Sequence, residues 1–272
     1  MTDLPQCNTI LLERVGARLN MTLNRPERRN AINNAMGIEF NSVVEWLHNN
    51  SEIRLVVLRG AGGHFCAGGD IKERRSLAET DAGSDEDPIM ARNMRAGLGF
   101  LRFANLPQTI IAMVEGSAFG GGMGYACLAD LTIVTRSARM GMPETALGVA
   151  PAQIAPHVVK RVGLTRALQL ALTGERFDGE KAVEYGIAQY LSDDDQVEET
   201  LESVVAQVLK GAPRASAVTK EIMRKVGTLS EEEMVRFSAE RFAELNRGDE
   251  GREGQAAFAE KRLPSWQVTN HD

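Results

Sequence analysis

Two glycine-rich turns are the stretches of this chain whose residue types and spacing could do chemistry. The first runs Gly62-Gly-His-Phe-Cys-Ala-Gly-Gly-Asp-Ile-Lys72 and follows an apolar run that ends at Gly60. Paired glycines let the backbone approach a ligand closely, and Asp70 suits the N-cap of a following helix. The second runs Glu115-Gly-Ser-Ala-Phe-Gly-Gly-Gly-Met-Gly124, again between a strand-like and a helix-like segment. Helix N-termini leave N–H groups unpaired that favour negative charge, and glycines allow a ligand to reach them. Either turn alone also fits an ordinary strand-to-helix connection. Together they suggest two backbone N–H groups converging on one oxygen, which stabilises an enolate or a tetrahedral oxyanion by roughly 3 kcal/mol per donor. Acyl chemistry is therefore the leading class.

Other chemistries lack their motifs. No G-x-G-x-x-G spacing fits the second turn, and the chain has neither a G-K-[ST] phosphate loop nor a G-x-S-x-G nucleophile elbow. With a net charge of −6, no basic surface able to grip nucleic acid is implied, so an anionic small molecule must be held by local cations. Cys7, Cys66 and Cys127 are odd in number and widely spaced, which argues against a disulfide framework and against a zinc site. Cys66 and Cys127 read as packing residues, and His64 and His157 as structural or solvent-facing. The start MTDLPQCNT carries no basic and apolar leader, and no run approaches a membrane span. The expectation is a soluble, unprocessed, cytoplasmic protein.

The elements that must position the turns follow from periodicity. Strand-like segments at Thr9 to Glu13, Arg18 to Leu23 and Arg54 to Arg59 bracket a helix from about Asn33 to His48, the rhythm of a βαβ unit. The small, acidic stretch Ala78 to Asp87 predicts a surface loop. A helix over Pro88 to Ala104, a strand over Thr109 to Val114, a short helix ending at Ala129 and a strand over Leu131 to Thr135 make a second such unit. From Ile154 the pattern is helical, near 165–173, 178–185, 194–210, 213–226, 230–246 and 249–261, with a short strand at Ala188 to Leu191. The reading is α/β over residues 1–200, then a helical region over 201–272, packed on the core or on a neighbouring subunit.

Three segments, F-C-A-G-G-D-I-K, A-F-G-G-G-M-G and G-M-P-E-T at Gly141 to Thr145, resemble in order and spacing the signatures of the crotonase, or enoyl-CoA hydratase/isomerase, superfamily. The resemblance extends from L-N-R-P-E-R-R-N at Leu23 to F-A-E-K-R-L-P-S-W ending at Trp266. It implies a ββα spiral core with a C-terminal helical trimerisation region, a homotrimer or dimer of trimers, and an acyl-CoA substrate, coenzyme A being part of that substrate and no separate cofactor or metal being needed. By position, the oxyanion donors would be Gly69 and Gly121, with Gly120, Gly124 and Pro143 beside them as substrate-binding positions. The backbone at Ala67 and Ile71 would hold the adenine and pantetheine portions, Asp70 would fix the turn, and Arg28, Lys72 and a neighbouring subunit's Lys261 would face the phosphates.

One departure stands out. Hydratases of this superfamily use two glutamates; the later position is Glu144, but the earlier is Gly124. Glu144 is then the general acid/base, with Met-Pro before it and Ala146 and Leu147 after it suggesting partial burial, the setting that tunes such carboxylates. A single carboxylate suits a Δ3,Δ2-enoyl-CoA isomerase. The run from Leu147 to Gly163 and the start L-P-Q-C-N-T-I-L-L-E look instead like the isohexenylglutaconyl-CoA hydratases of acyclic terpene catabolism. The expectation is hydration of such a branched 2-enoyl-CoA, the acyl group filling an open space at Gly124. An isomerase and a catalytically silent acyl-CoA-binding protein are the alternatives.

Overall fold

The computed structural model describes residues 3–73 and 87–267. It divides into two compact units, one of residues 1–106 with 110–201 and one of 107–109 with 202–272. Of the acidic stretch Ala78 to Asp87, all but Asp87 lies outside the described residues.

In the first unit, β1 (Ile10–Val15) and β2 (Arg18–Leu23) form a hairpin around Gly16, whose φ of 58° lies in the left-handed region that glycine tolerates. In β2 the side chains of Leu19, Met21 and Leu23 are buried and alternate with less buried neighbours, the period-2 signature of a strand packed on one face. β3 (Leu55–Gly60) runs parallel to β2 and buries four consecutive residues, Leu55 to Leu58, as a strand covered on both faces must. The crossover is α1 (Asn34–His48), opened by the Asn33 side chain, which accepts from the Met36 N–H at 2.9 Å. It buries Met36, Phe40, Val43, Val44 and Leu47 along one stripe.

Next comes α2 (Pro88–Ala104), with Asp87 as its cap and Pro88 in the first turn, where a missing N–H costs nothing. β4 (Thr109–Val114) and β6 (Leu131–Thr135) pair in parallel and complete, with β9 (Tyr190–Ser192), a sheet ordered β1-β2-β3-β4-β6-β9. A second sheet, β5-β7-β8, is built from Ser117–Phe119, Arg139–Gly141 and Arg176–Phe177. α3 (Gly121–Leu128) springs directly from β5 and is buried from Gly122 onward. α4 (Ala155–Thr173) begins ten residues earlier than its periodicity predicts, because Gly163, at φ 76° and ψ 163°, interrupts the helix and hides its first half. α5 (Gly179–Glu184) closes the run before β9.

α6 (Val197–Leu209) leads into the helical unit, which contains α7 (Pro213–Lys225), α8 (Glu231–Arg247) and α9 (Asp249–Ala259). A reciprocal capping box between Ser230 and Glu233 starts α8. The end of this unit is clamped by Glu253, which accepts two hydrogen bonds from Arg262 and one from the Ser265 N–H.

Candidate active site

The first glycine turn is held on both flanks. On one, the Cys66 N–H donates to Ser117 O at 2.8 Å and the Phe119 N–H to Cys66 O at 3.0 Å. On the other, the Ile32 N–H donates to Gly68 O at 2.8 Å and the Asp70 N–H to Ile32 O at 2.9 Å. A trans peptide points its N–H opposite to its C=O, and the Gly68 carbonyl is turned toward Ile32. The Gly69 N–H therefore faces away from Ile32. Gly68, at φ 94°, is where the two turns touch: a Cβ there would lie 2.9 Å from Phe119 O and 3.5 Å from Gly121 N.

In the second turn each glycine has its own reason. Gly120 takes φ 52° and ψ −116°, and a Cβ there would meet Glu144 Oε1 at 2.9 Å. Its N–H is committed to Gly141 O at 3.2 Å. A Cβ on Gly122 would stand 2.2 Å from Cys66 O, so only glycine lets α3 pack against the first turn. Gly121, between them, opens α3, where backbone N–H groups have no intrahelical acceptor.

Glu144 enters from β7 and starts the single turn Thr145–Leu147, its carbonyl accepting from the Leu147 and Val149 N–H groups. Its side chain is half-buried, with Oε2 shielded from solvent. The cause is not the apolar pair after it, since Ala146 is exposed and Leu147 is 55% exposed. The hollow at Gly120, where there is no Cβ to meet Oε1, gives the carboxylate its place.

Gly69, Gly121 and Glu144 share the wall of one cavity of about 370 Å³. α1 contributes Gly37, Ile38 and Asn41, α2 contributes residues from Ile89 to Phe100, and the segment from Val149 to Ile154 closes it. An arrangement of two peptide donors and one carboxylate around an apolar hollow can polarise a carbonyl and move a proton beside it.

Gly124 is not part of that wall, which corrects the expectation of an open space there. It is buried in α3, and a Cβ on it would lie 2.4 Å from Ile154 Cγ2 and 3.0 Å from Ile154 Cβ. Ile154 fills the volume where an earlier glutamate would project. Sequence spacing puts positions 121 and 124 on neighbouring parts of the helix, but it does not show what the segment before α4 packs there.

Asp70 caps the helical turn after it, its Oδ1 accepting from the Lys72 N–H at 3.1 Å, while Oδ2 accepts from Arg25 at 3.1 Å. Burial works to raise its carboxyl, but the Arg25 and backbone hydrogen bonds outweigh this and hold it below the usual aspartate range. The Ala67 N–H is committed to Arg29 O at 2.9 Å, so a ligand can use only its carbonyl. Ile71 is 55% exposed, Arg28 and Lys72 are exposed, and Pro143 is half-buried beside Glu144. Lys261 belongs to the helical unit, where it is exposed and follows α9.

Asn30 and Arg25 are positioning residues that motif spacing does not single out. Asn30 is fully buried at φ 56°, and it donates to Ala61 O and His64 O while accepting from the Arg25 N–H. The turn before α1 is thereby tied to the first glycine turn. Their signal was present in L-N-R-P-E-R-R-N, an Asn after a proline turn being suited to the left-handed region. His64 Nδ1 accepts from the Ser117 N–H, a structural role. Burial pushes the thiols of Cys66 and Cys127 up to about 12, which suits packing and not nucleophilic attack at neutral pH.

Fold and site together define an enzyme of the crotonase class. The family model for enoyl-CoA hydratase/isomerase matches residues 14–269, and the chain belongs to that family. It is 30% identical over 251 residues to mevalonyl-coenzyme A hydratase sidH of Aspergillus fumigatus, covering 91% of this chain and 90% of that protein. Among solved structures, an enoyl-CoA hydratase/isomerase from Marinobacter aquaeolei superimposes with a TM-score of 0.92 at 42% identity, covering 96% of this chain and 100% of that one. Pseudomonas aeruginosa AtuE does so with a TM-score of 0.92 at 41% identity, with the same coverage.

Proposed function

We propose that the chain hydrates a C3-branched 2-enoyl-CoA of the isohexenylglutaconyl type, with Glu144 as its single acid/base. The observation that carries this is the shared cavity wall of Gly69, Gly121 and Glu144. In this reading the thioester oxygen accepts from the Gly69 and Gly121 N–H groups, which draws electron density from C3. Water oxygen bonds to C3 as the C2=C3 pair moves into the enolate, Glu144 takes the water proton, and a proton returns from Glu144 to C2. One water is gained overall. A carboxylate at position 124 is not needed for that balance, because one group can accept and return the proton.

Two further features support a branched acyl group. Ile32, Ile38, Phe100, Val149 and Ile154 give the cavity an apolar side able to cover hydrocarbon. The similarity to a mevalonyl-coenzyme A hydratase is similarity to an enzyme named for a C3-branched thioester.

Isomerisation of a Δ3-enoyl-CoA is the second reading, favoured by the presence of Ile154 where a second carboxylate would project. A silent binding protein would have Glu144 exposed and turned from the glycines, and the half-buried carboxylate beside Gly120 speaks against it. The test is incubation with linear and C3-branched enoyl-CoA thioesters and direct reading of product mass. A gain of one water from the branched thioester supports the proposal; unchanged mass with a shifted double bond supports the isomerase.

For the rest of the substrate, Arg28 and Lys72 are the candidates for the coenzyme A phosphates, with Lys261 from a second copy. A homotrimer or dimer of trimers fits the apolar residues left uncovered: Leu164, Leu168 and Leu172 at four-residue spacing on α4, and Phe242 and Phe258, the latter 87% exposed. Light scattering at micromolar concentration checks this; a monomer throughout contradicts it.

A further inference from the structure

One wall of the cavity carries charge that the proposed proton transfers do not use. Among the residues lining it, Arg92, Arg95 and Glu144 are the charged ones. Arg92 is compensated: its guanidinium meets Glu73 at 2.5 Å, and Glu73 is also held by the Asn34 N–H at 2.9 Å. Arg95 has no hydrogen-bond or ion-pair partner among the described residues. Elsewhere on the same cavity wall, Asn93 Oδ1 accepts from Gln153 Nε2 at 2.6 Å, which leaves the Asn93 amide NH₂ as a further donor.

The spacing along α2 sets the reach. Phe100 stands at the reacting end, its Cζ 4.0 Å from the position of a Cβ on Gly121. At 1.5 Å per residue, Arg95 begins about 7.5 Å along the helix axis from Phe100, so it lines a part of the cavity away from the reacting end. A cation there, facing an apolar side made of Ile32, Ile38, Val149 and Ile154, suits an acyl group with one hydrocarbon arm and one anionic arm.

We propose that Arg95 is a specificity-determining residue that binds the free carboxylate of the branched acyl chain proposed above. For turnover this rests on the hydratase reading; for binding it does not. The test uses the full-length protein and its Arg95→Gln and Arg95→Lys variants, whose exposed position on α2 leaves the fold intact. Calorimetric affinities for 3-methylglutaryl-CoA and isovaleryl-CoA, saturated analogues that differ in the carboxylate, give one ratio. Values of kcat/KM for 3-methylglutaconyl-CoA and 3-methylcrotonyl-CoA give the second.

The expected result is a wild-type binding ratio in favour of the diacid that falls about 10-fold in Arg95→Gln and is largely retained in Arg95→Lys, with the turnover ratio following. A binding ratio unmoved by Arg95→Gln overturns the assignment, as does a wild type with no preference for the diacid. If the binding ratio falls but neither unsaturated thioester gains water, Arg95 is the carboxylate site and the hydratase reading is the part that fails.

Discussion

The packing of Ile154 against Gly124 can be measured as a coupling energy. A Cβ at 124 would stand 2.4 Å from Ile154 Cγ2, whereas carbon atoms pack best at about 3.5–4.0 Å. Relief requires a shift of about 1 Å or more in a buried neighbour, so Gly124→Ala should cost about 1–3 kcal/mol through overpacking. Ile154 is 5% exposed, and Ile154→Ala should cost about 2–5 kcal/mol through lost burial and a residual cavity. In the double variant the new methyl enters the space the isoleucine vacates, so the two costs should fall short of additivity by about 1–2 kcal/mol. Urea unfolding of the four proteins at one fixed protein concentration provides the cycle. Additivity within about 0.5 kcal/mol would show that residues 124 and 154 do not share that volume, and the explanation of the missing glutamate would be withdrawn.

Other outcomes follow from the same geometry. Gly121→Pro removes one peptide donor at the first helical position, where proline is tolerated, and kcat should fall about 100- to 1000-fold; a folded variant with near-normal turnover contradicts the donor role. Glu144→Gln keeps the shape but not the basicity, so affinity for a saturated acyl-CoA should persist while kcat falls about 100-fold or more; loss of both together points to a structural role. The Asp70 carboxyl is held below its ordinary value, so its stabilising contribution is full above about pH 3.9 and is lost as pH falls through the lower folded value. The stability gap between wild type and Arg25→Ala should accordingly be constant near neutrality and narrow below about pH 4; a gap that persists unchanged at lower pH means that Arg25 acts only through Ala31 O and packing.

What could be read from the sequence tracks the length of each periodic signal. β2 alternates cleanly, β3 is a continuous apolar run, and α2 has both a cap and a proline at its start, so each stands where its pattern predicts. The strands of the second sheet have two or three residues each, too few to show any period, yet β5 is what ties the second glycine turn to the first, through the bridge of Ala118 to Cys66. The pairing of the two turns was legible as glycines in equivalent settings. Its cause was not, because it lies in contacts between segments far apart in sequence, such as Cys66 with Ser117 and Phe119. Gly124 shows the same limit: helical spacing describes the direction of a side chain, while Ile154, thirty residues on, decides whether that direction is open.

The proposed reaction adds water to C3 of a branched 2-enoyl-CoA by means of one carboxylate. The most direct measurement is incubation of 3-methylglutaconyl-CoA in ¹⁸O-labelled water with the wild type and with Glu144→Gln, followed by mass analysis of the intact thioester. The expected product is heavier by one labelled water, with the label on C3, in the wild type, and almost none forms in the variant. A thioester of unchanged mass with a displaced double bond, release of free coenzyme A, or equal hydration by both proteins would contradict it.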